Sequence, residues 1–194
     1  VIDKLLQSLI ITEIDYNDLL LGDKNAVLVA ARVLGYGSEY SFEYRGETQT
    51  IDLTKIEDKT LDENIIQKGG KNEFSYILPT SKKEITFKFL THRDEQKIEQ
   101  ELKGHKKLNK NFSPDLSTRM KYLLLSVEGD HEAKTIRNFV DTQLLARDAR
   151  DLRNYISKIQ PDVDLTFDYE EDNGDIKKVT IPIGIQFFWP DVEL

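Results

Sequence analysis

The chain lacks residues on which several common chemistries depend: its 194 residues include no cysteine and only three histidines. Without cysteine it cannot form disulfides, thiolate metal sites, iron–sulfur clusters or a cysteine nucleophile. The histidines are His92, His105 and His131, and their scattered spacing matches no zinc motif. We therefore predict no structural metal and no cofactor.

Long apolar runs are also missing. No segment approaches the roughly 18 apolar residues of a membrane span, and no signal peptide is recognisable, so we expect a soluble protein without a membrane partner. The absence of cysteine fits a reducing compartment such as the cytoplasm. The chain begins with Val1 and its only methionine is Met120, so we expect a native N-terminal segment to be missing.

Acidic residues outnumber basic ones, 35 Asp and Glu against 27 Lys and Arg, giving a net charge of -8. This balance argues against a nucleic-acid partner, because phosphate backbones are held by clustered cations. The one basic cluster lies in residues 103–110, where we predict a mobile loop spanning 103–115. Lys106, Lys107 and Lys110 are candidate interface residues for an acidic neighbour.

Apolar spacing separates helices from strands along the chain. Apolar residues recur at i, i+3 and i+4 in 1–12, 15–34, 132–140 and 141–159, which predicts helices, and 92–107 reads as a polar helix. Period-two alternation in 40–53, 74–89 and 163–189 predicts three β-hairpins. The pattern of 116–127 fits helix or strand equally well. Because tight turns join antiparallel strands, the expected class is α+β, with three antiparallel hairpins interleaved with helices.

The domain organisation follows from this order. We predict a single α+β unit over 1–194, with two lobes as the alternative. In that alternative, 1–92 holds helices and two hairpins, and 116–194 holds helices and the C-terminal hairpin. The first and third hairpins look alike in plan, which fits a remote internal repeat or simply the common pattern of short hairpins.

Short motifs give little support for catalysis. Gly35-Tyr36-Gly37 follows a helix and enters a strand, the reverse of a dinucleotide-binding turn, and lacks the third glycine. His92-Arg93-Asp94 matches a kinase loop over three letters only, so the acid more simply begins a helix. A small metal-dependent hydrolase using His131 and nearby acids is the enzymatic alternative, without a supporting motif.

The aromatic end of the chain is its least ordinary segment. If the last strand keeps period two, Phe187 and Trp189 share the core face, and Phe188 points the other way. We therefore predict Phe188 and Pro190 as interface residues.

A set of segments resembles one protein family in order and spacing. They are 15–24 (DYNDLLLGDK), 31–40 (ARVLGYGSEY), 77–82 (ILPTSK), 89–95 (FLTHRDE), 126–129 (SVEG), 147–153 (RDARDLR) and 182–190 (PIGIQFFWP). Together they resemble the baseplate hub assembly proteins of contractile-tailed bacteriophages of the T-even type. The resemblance covers nearly the whole chain, and no single motif in it is catalytic.

The resemblance carries one departure. Relatives often bear CxxC-type ribbons in two hairpins, and the matching places here, 44–48 and 169–176, contain no cysteine. Any zinc role of those ribbons is therefore not expected in this chain.

The resemblance implies a non-enzymatic hub subunit or assembly factor. Its expected partners are other phage baseplate and hub proteins, and its oligomeric state stays open. Its expected location is the virion tail baseplate, and the host cytoplasm during assembly. A transient assembly chaperone that leaves the virion is the alternative.

Overall fold

The computed structural model describes residues 2–59, 70–108 and 114–188. Its helices and strands follow the chain in this order: α1 Ile2–Leu9, α2 Leu21–Tyr36, β1 Glu39–Tyr44, β2 Glu47–Asp52, β3 Asp58–Lys59, β4 Phe74–Ile77, β5 Glu84–Phe87, α3 His92–Leu108, α4 Asp115–Leu123, β6 Leu124–Val127, α5 Ala133–Thr142, α6 Ala146–Ile159, β7 Asp162–Val163, β8 Thr166–Glu170, β9 Ile176–Thr180 and α7 Ile185–Phe188. Short 3₁₀ turns lie at Tyr16–Asp18 and Leu53–Lys55. The predicted α+β class is confirmed, with antiparallel hairpins interleaved with helices.

The chain folds into two compact units. The first combines the described parts of Val1–Glu13, Gly22–Lys59 and Pro161–Leu194, and the second combines those of Ile14–Leu21 and Thr60–Gln160. These bounds differ from the two predicted lobes, because the first and third hairpins share a unit while the second hairpin joins the central helices.

The second unit is built on a three-stranded antiparallel sheet in the order β4-β5-β6. Its buried residues form one cluster with helices α3 to α6, centred on rings and aliphatic chains such as Phe87, Leu78 and Leu152, each 0% exposed. Segment 116–127 proves to be both helix and strand: α4 ends at Leu123, and Leu124 then pairs with Phe87 of β5. Pairing with the edge of β5 thus makes residues 124–127 a strand, which local periodicity alone could not predict.

In the first unit, the hairpins β1–β2 and β8–β9 are packed together by aromatic rings. Phe42 contacts Phe167 at 5.0 Å between ring centroids, and Tyr44 contacts Tyr169 at 4.9 Å, both edge to face. Such pairs stabilise beyond their buried area. The alternation in the sequence therefore marks the faces through which the two hairpins meet.

The predicted mobile loop over 103–115 is wrong at its start. Helix α3 continues to Leu108, and Lys103 pairs with Glu99 one turn earlier at 3.2 Å. Lys and Glu are good helix formers, and their i, i+4 spacing stabilises a solvated helix. Residues 109–113 of the predicted loop lie outside the described residues.

The prediction of a long return strand in the third hairpin is also wrong. Strand β9 ends at Thr180, and after Ile181 donates its backbone N–H to Leu165 the pairing stops. Pro182 has no N–H to continue the ladder. The chain then turns at Gly184 into the short helix α7 instead of extending toward its end.

Candidate protein-docking groove

The structure places the predicted interface residues in different settings. Phe188 is 1% exposed, so its prediction as an open interface residue is wrong. The helical turn of α7 replaces strand geometry, and both Phe187 and Phe188 become buried, with centroids 5.3 Å apart. Lys106 and Lys107 lie on α3, and their side chains are outside the described part of the structure. Lys110 and Pro190 are outside the described residues altogether.

An apolar groove runs along α2 in the first unit, with a volume of about 400 Å³. Its helical wall consists of Ala26, Val29, Ala30, Val33 and Leu34, and its other wall and floor consist of Leu53, Thr54, Ile56, Asp58 and Val163. Leu34 is 87% exposed although it is a large apolar side chain. We name this feature the α2 groove.

The sequence builds the helical wall by simple periodicity. Ala26, Ala30 and Leu34 are spaced four residues apart, so they form one stripe along the helix. The two alanines leave room beside the helix backbone, and both are exposed. Ala and Leu are also strong helix formers, so the open surface costs the helix nothing in propensity.

Close backbone packing fixes the N-terminal part of α2. A Cβ atom on Gly22 would overlap the carbonyl oxygen of Pro161, so only glycine permits this approach. Nearby, the Asn25 side-chain amide donates to the Asp162 carboxylate at 3.0 Å. Because β7 carries both Asp162 and Val163, these contacts hold the floor of the α2 groove against its wall.

A buried arginine fixes the other end of α2. Arg32 is 4% exposed and donates to the carbonyl oxygens of Gly37 at 2.9 Å and Glu39 at 3.1 Å. Its guanidinium also lies over the rings of Tyr40 and Phe187, at 5.8 and 6.0 Å from their centroids. Burial raises the pKa of Tyr40, and the positive charge of Arg32 offsets part of that rise. The cation thus joins the helix end to β1 and to α7.

The wall opposite α2 is held by a capped 3₁₀ turn. Asp52 accepts hydrogen bonds from the backbone N–H of Thr54 at 3.0 Å and from its hydroxyl at 2.6 Å. These bonds hold the pKa of Asp52 below its ordinary value. The turn buries Leu53, which is 2% exposed, and presents Ile56 to the groove.

The lining of the α2 groove is suited to packing rather than to proton or group transfer. Its polar members are Thr54 and Asp58, and the remainder is aliphatic. Exposed apolar surface of this kind marks contact sites for other molecules. Among the described residues, no group of three or more His, Asp or Glu side chains is placed to hold a metal ion.

The residues named for a hydrolase make local contacts at the start of α5. The Asp130 carboxylate accepts from the backbone N–H of Glu132 at 2.8 Å and from the Thr135 hydroxyl at 2.8 Å. The Glu132 backbone N–H is the main reason that the pKa of Asp130 lies below its usual value. His131 is exposed and contacts the carbonyl oxygen of Leu125 at 3.1 Å through Nδ1.

Sequence reasoning missed the anchor Arg32 and the groove itself. A signal for the first was present, because an arginine within an apolar helix face, just before Gly35-Tyr36-Gly37, must find carbonyl partners if buried. The groove had no such signal, since its second wall comes from residues at least 19 positions further along the chain.

Comparisons with protein-family models, curated proteins and solved structures found no match to this chain. None of the described helices is long and apolar enough to span a bilayer.

Proposed function

We propose that the chain is a non-enzymatic protein of a contractile phage tail baseplate hub, and that it acts through protein–protein contacts. The family resemblance supports this proposal, and two of the segments that carry it, 15–24 and 31–40, flank or form α2. The observation that carries it furthest is the exposed apolar stripe of the α2 groove. A helix that keeps Leu34 87% exposed in a strongly charged chain is suited to a partner surface.

The proposed mechanism is surface matching. An apolar side chain of a hub neighbour enters the α2 groove and excludes water from Ala30 and Leu34. Interface energy of this kind concentrates in a few well-packed central residues, while surrounding contacts add little. The rigid attachment of α2 at Gly22 and Arg32 favours binding, because little order must be imposed when the partner arrives.

Ala30→Arg tests this proposal in the assembling tail. Ala30 is exposed, so we expect the free energy of unfolding of the isolated variant to lie within about 0.5 kcal/mol of that of the parent. The long charged side chain fills the groove, so we expect the yield of complete tails to fall roughly tenfold or more. Gln100→Arg, an exposed change of the same charge on α3, is the matched control and should leave tail yield unchanged.

Tails purified after co-expression of the tail genes with each variant provide the measurement. Mass spectrometry of these tails distinguishes a hub subunit, retained in the particle, from a chaperone, found only in assembly intermediates. Normal tail yield when the gene is deleted would overturn the proposal. Normal assembly of Ala30→Arg would remove the α2 groove from the mechanism.

A further inference from the structure

A second apolar groove lies within the second unit, between α4 and the helices α5 and α6. It has a volume of about 360 Å³ and is lined by Pro114, Leu116, Ser117, Met120, Val140, Leu144, Ala146 and Ala149. At its margins Leu116 and Leu145 are 45% and 46% exposed. We name it the α6 groove, because the first turn of α6 forms one of its sides.

The helical geometry of α6 continues this groove into a basic surface. Ala146, Ala149, Arg150 and Arg153 stand at i, i+3, i+4 and i+7, and therefore occupy one face of the helix. Arg147 lies one position beyond Ala146 and is also exposed. The apolar lining thus borders three arginines on the same helix.

These arginines are not neutralised within the described parts of the chain. Arg147 and Arg153 have no carboxylate within 4.0 Å among the described residues, and the nearest one to Arg150 is Asp151 at 3.9 Å. The Arg150 side chain is 63% exposed, so that contact is worth little.

On the α4 side of the groove the charges are already paired. Arg119 binds Glu95 through two hydrogen bonds of 2.6 and 2.8 Å, and Lys121 lies 2.8 Å from Asp141. Among the described residues around the groove, the free positive charge therefore lies on the α6 side.

The position of Arg147 opposes helix stability. It lies in the first turn of α6, where the helix dipole favours acids, and Asp148 in the same turn offsets only part of this cost. The residue before the helix, Leu145, has no side-chain oxygen and gives no cap. An external carboxylate beside this surface would offset both costs.

We propose that the α6 groove and Arg147, Arg150 and Arg153 bind an acidic amphipathic segment of another protein. Apolar side chains of that segment fill the groove, and its carboxylates pair with the arginines as charge-assisted hydrogen bonds. This site lies in a different unit from the α2 groove and does not depend on the hub function.

A synthetic peptide of about 15 residues, with Leu at i, i+3, i+4 and i+7 and Glu between, is the probe. Its binding to the whole chain is followed by fluorescence anisotropy at low and high salt. We expect binding that weakens with salt, and that weakens roughly tenfold or more when Arg150→Glu and Arg153→Glu are combined. Lys158→Glu combined with Lys134→Glu reverses two exposed charges outside the groove lining, so this pair is the control matched in charge and should have little effect.

Two further variants separate the apolar and charged parts of the site. Ala146→Gln narrows the groove without changing charge, and should weaken binding severalfold. If the charge reversals lower the melting temperature, Arg150→Gln with Arg153→Gln should still weaken binding in a fully folded chain.

Several outcomes would overturn the proposal. Equal binding of a peptide with Lys in place of Glu would remove the charge argument, and equal binding with Ser in place of Leu would remove the groove. A single-stranded oligonucleotide that binds the arginines more tightly than the peptide would assign them to a polyanion instead. Self-association that the paired reversals abolish would make the occupant a second copy of this chain.

Discussion

Asp148 clamps the turn of the second hairpin onto α6, and its replacement tests how the second unit is held together. The residue is 0% exposed, and its two carboxylate oxygens accept the backbone N–H groups of Thr80 at 2.7 Å and Ser81 at 3.0 Å. Burial by itself raises the pKa of Asp148, but these donors more than offset burial and hold the pKa below its ordinary value. The folded protein therefore prefers the ionised clamp.

The magnitude follows from the two hydrogen bonds. A bond to a charged group contributes about 1.5–3 kcal/mol net, and a buried donor left without its partner costs about 1–3 kcal/mol. Asp148→Asn keeps one acceptor oxygen but turns an NH2 group toward the other backbone N–H. We therefore expect a loss of about 2–3 kcal/mol in unfolding free energy, and a larger loss of about 4 kcal/mol for Asp148→Ala.

Urea unfolding followed by far-UV circular dichroism measures the loss, and amide hydrogen exchange locates it. Protection of the Thr80 and Ser81 amides should fall first, because their acceptor is what changes. Asp151→Asn is the matched control three residues along α6. Among the described residues its carboxylate makes no hydrogen bond, and its ion pair with Arg150 at 3.9 Å is exposed, so we expect a change below about 0.5 kcal/mol. Equal losses of unfolding free energy in the two variants would refute the role of Asp148 in holding the turn to α6.

Three more perturbations test other parts of the structure. Phe188→Ala should lower unfolding free energy by about 3–5 kcal/mol in a urea melt, because the ring is buried; a loss below about 1 kcal/mol would contradict that burial. Gly22→Ala should lower the free energy of unfolding by about 1–3 kcal/mol in a thermal melt, because the added methyl group overlaps the Pro161 carbonyl. An unchanged melting temperature would contradict the close approach of the two backbones. The pKa values of Asp148 and Asp94 are lowered in the folded protein. Their contribution to the free energy of unfolding is therefore complete above the unfolded pKa of about 4, and it is lost as the pH falls through the folded-state pKa values. The urea midpoint should therefore hold from about pH 5 to 7 and fall below about pH 4, and Asp148→Asn should flatten that fall.

Short-range patterns made the hairpins predictable. Alternating rings in 40–44 and 74–78 identify the buried faces, and Asn173-Gly174 marks a turn in which Gly174 adopts a φ of 82°. The acid at the start of α3 was equally readable: Asp94 accepts from the backbone N–H and hydroxyl of Thr91, closing a capping box. Each of these features depends on residues only a few positions apart.

Long-range pairings were not predictable from the same patterns. Thr80 and Asp148 are 68 positions apart, and no local pattern in the turn or in α6 indicates that the two residues pair. The prediction for the end of the chain was wrong for a related reason. Period-two alternation in 179–189 fits a strand, but a strand also needs a partner, and Pro182 ends the pairing with β8. Alternation alone reflects apolar spacing, and the short helix α7 buries Phe187 together with Phe188 by another geometry.

The net charge of the whole chain conceals a division that bears on both proposed docking sites. Counted over their sequence ranges, the first unit has eight Lys and Arg against eighteen Asp and Glu, and the second has nineteen against seventeen. The first unit therefore carries a formal charge of -10 and the second +2, which together give the net charge of -8. Since exposed charges act over about 10 Å at ordinary salt, a partner responds to the local surface rather than to the sum. The argument from total charge, which was made against a nucleic-acid partner, therefore does not exclude an acidic partner at α6. The two grooves should differ in salt response: binding at the largely uncharged α2 groove should change little, and binding at the α6 groove should weaken as salt rises.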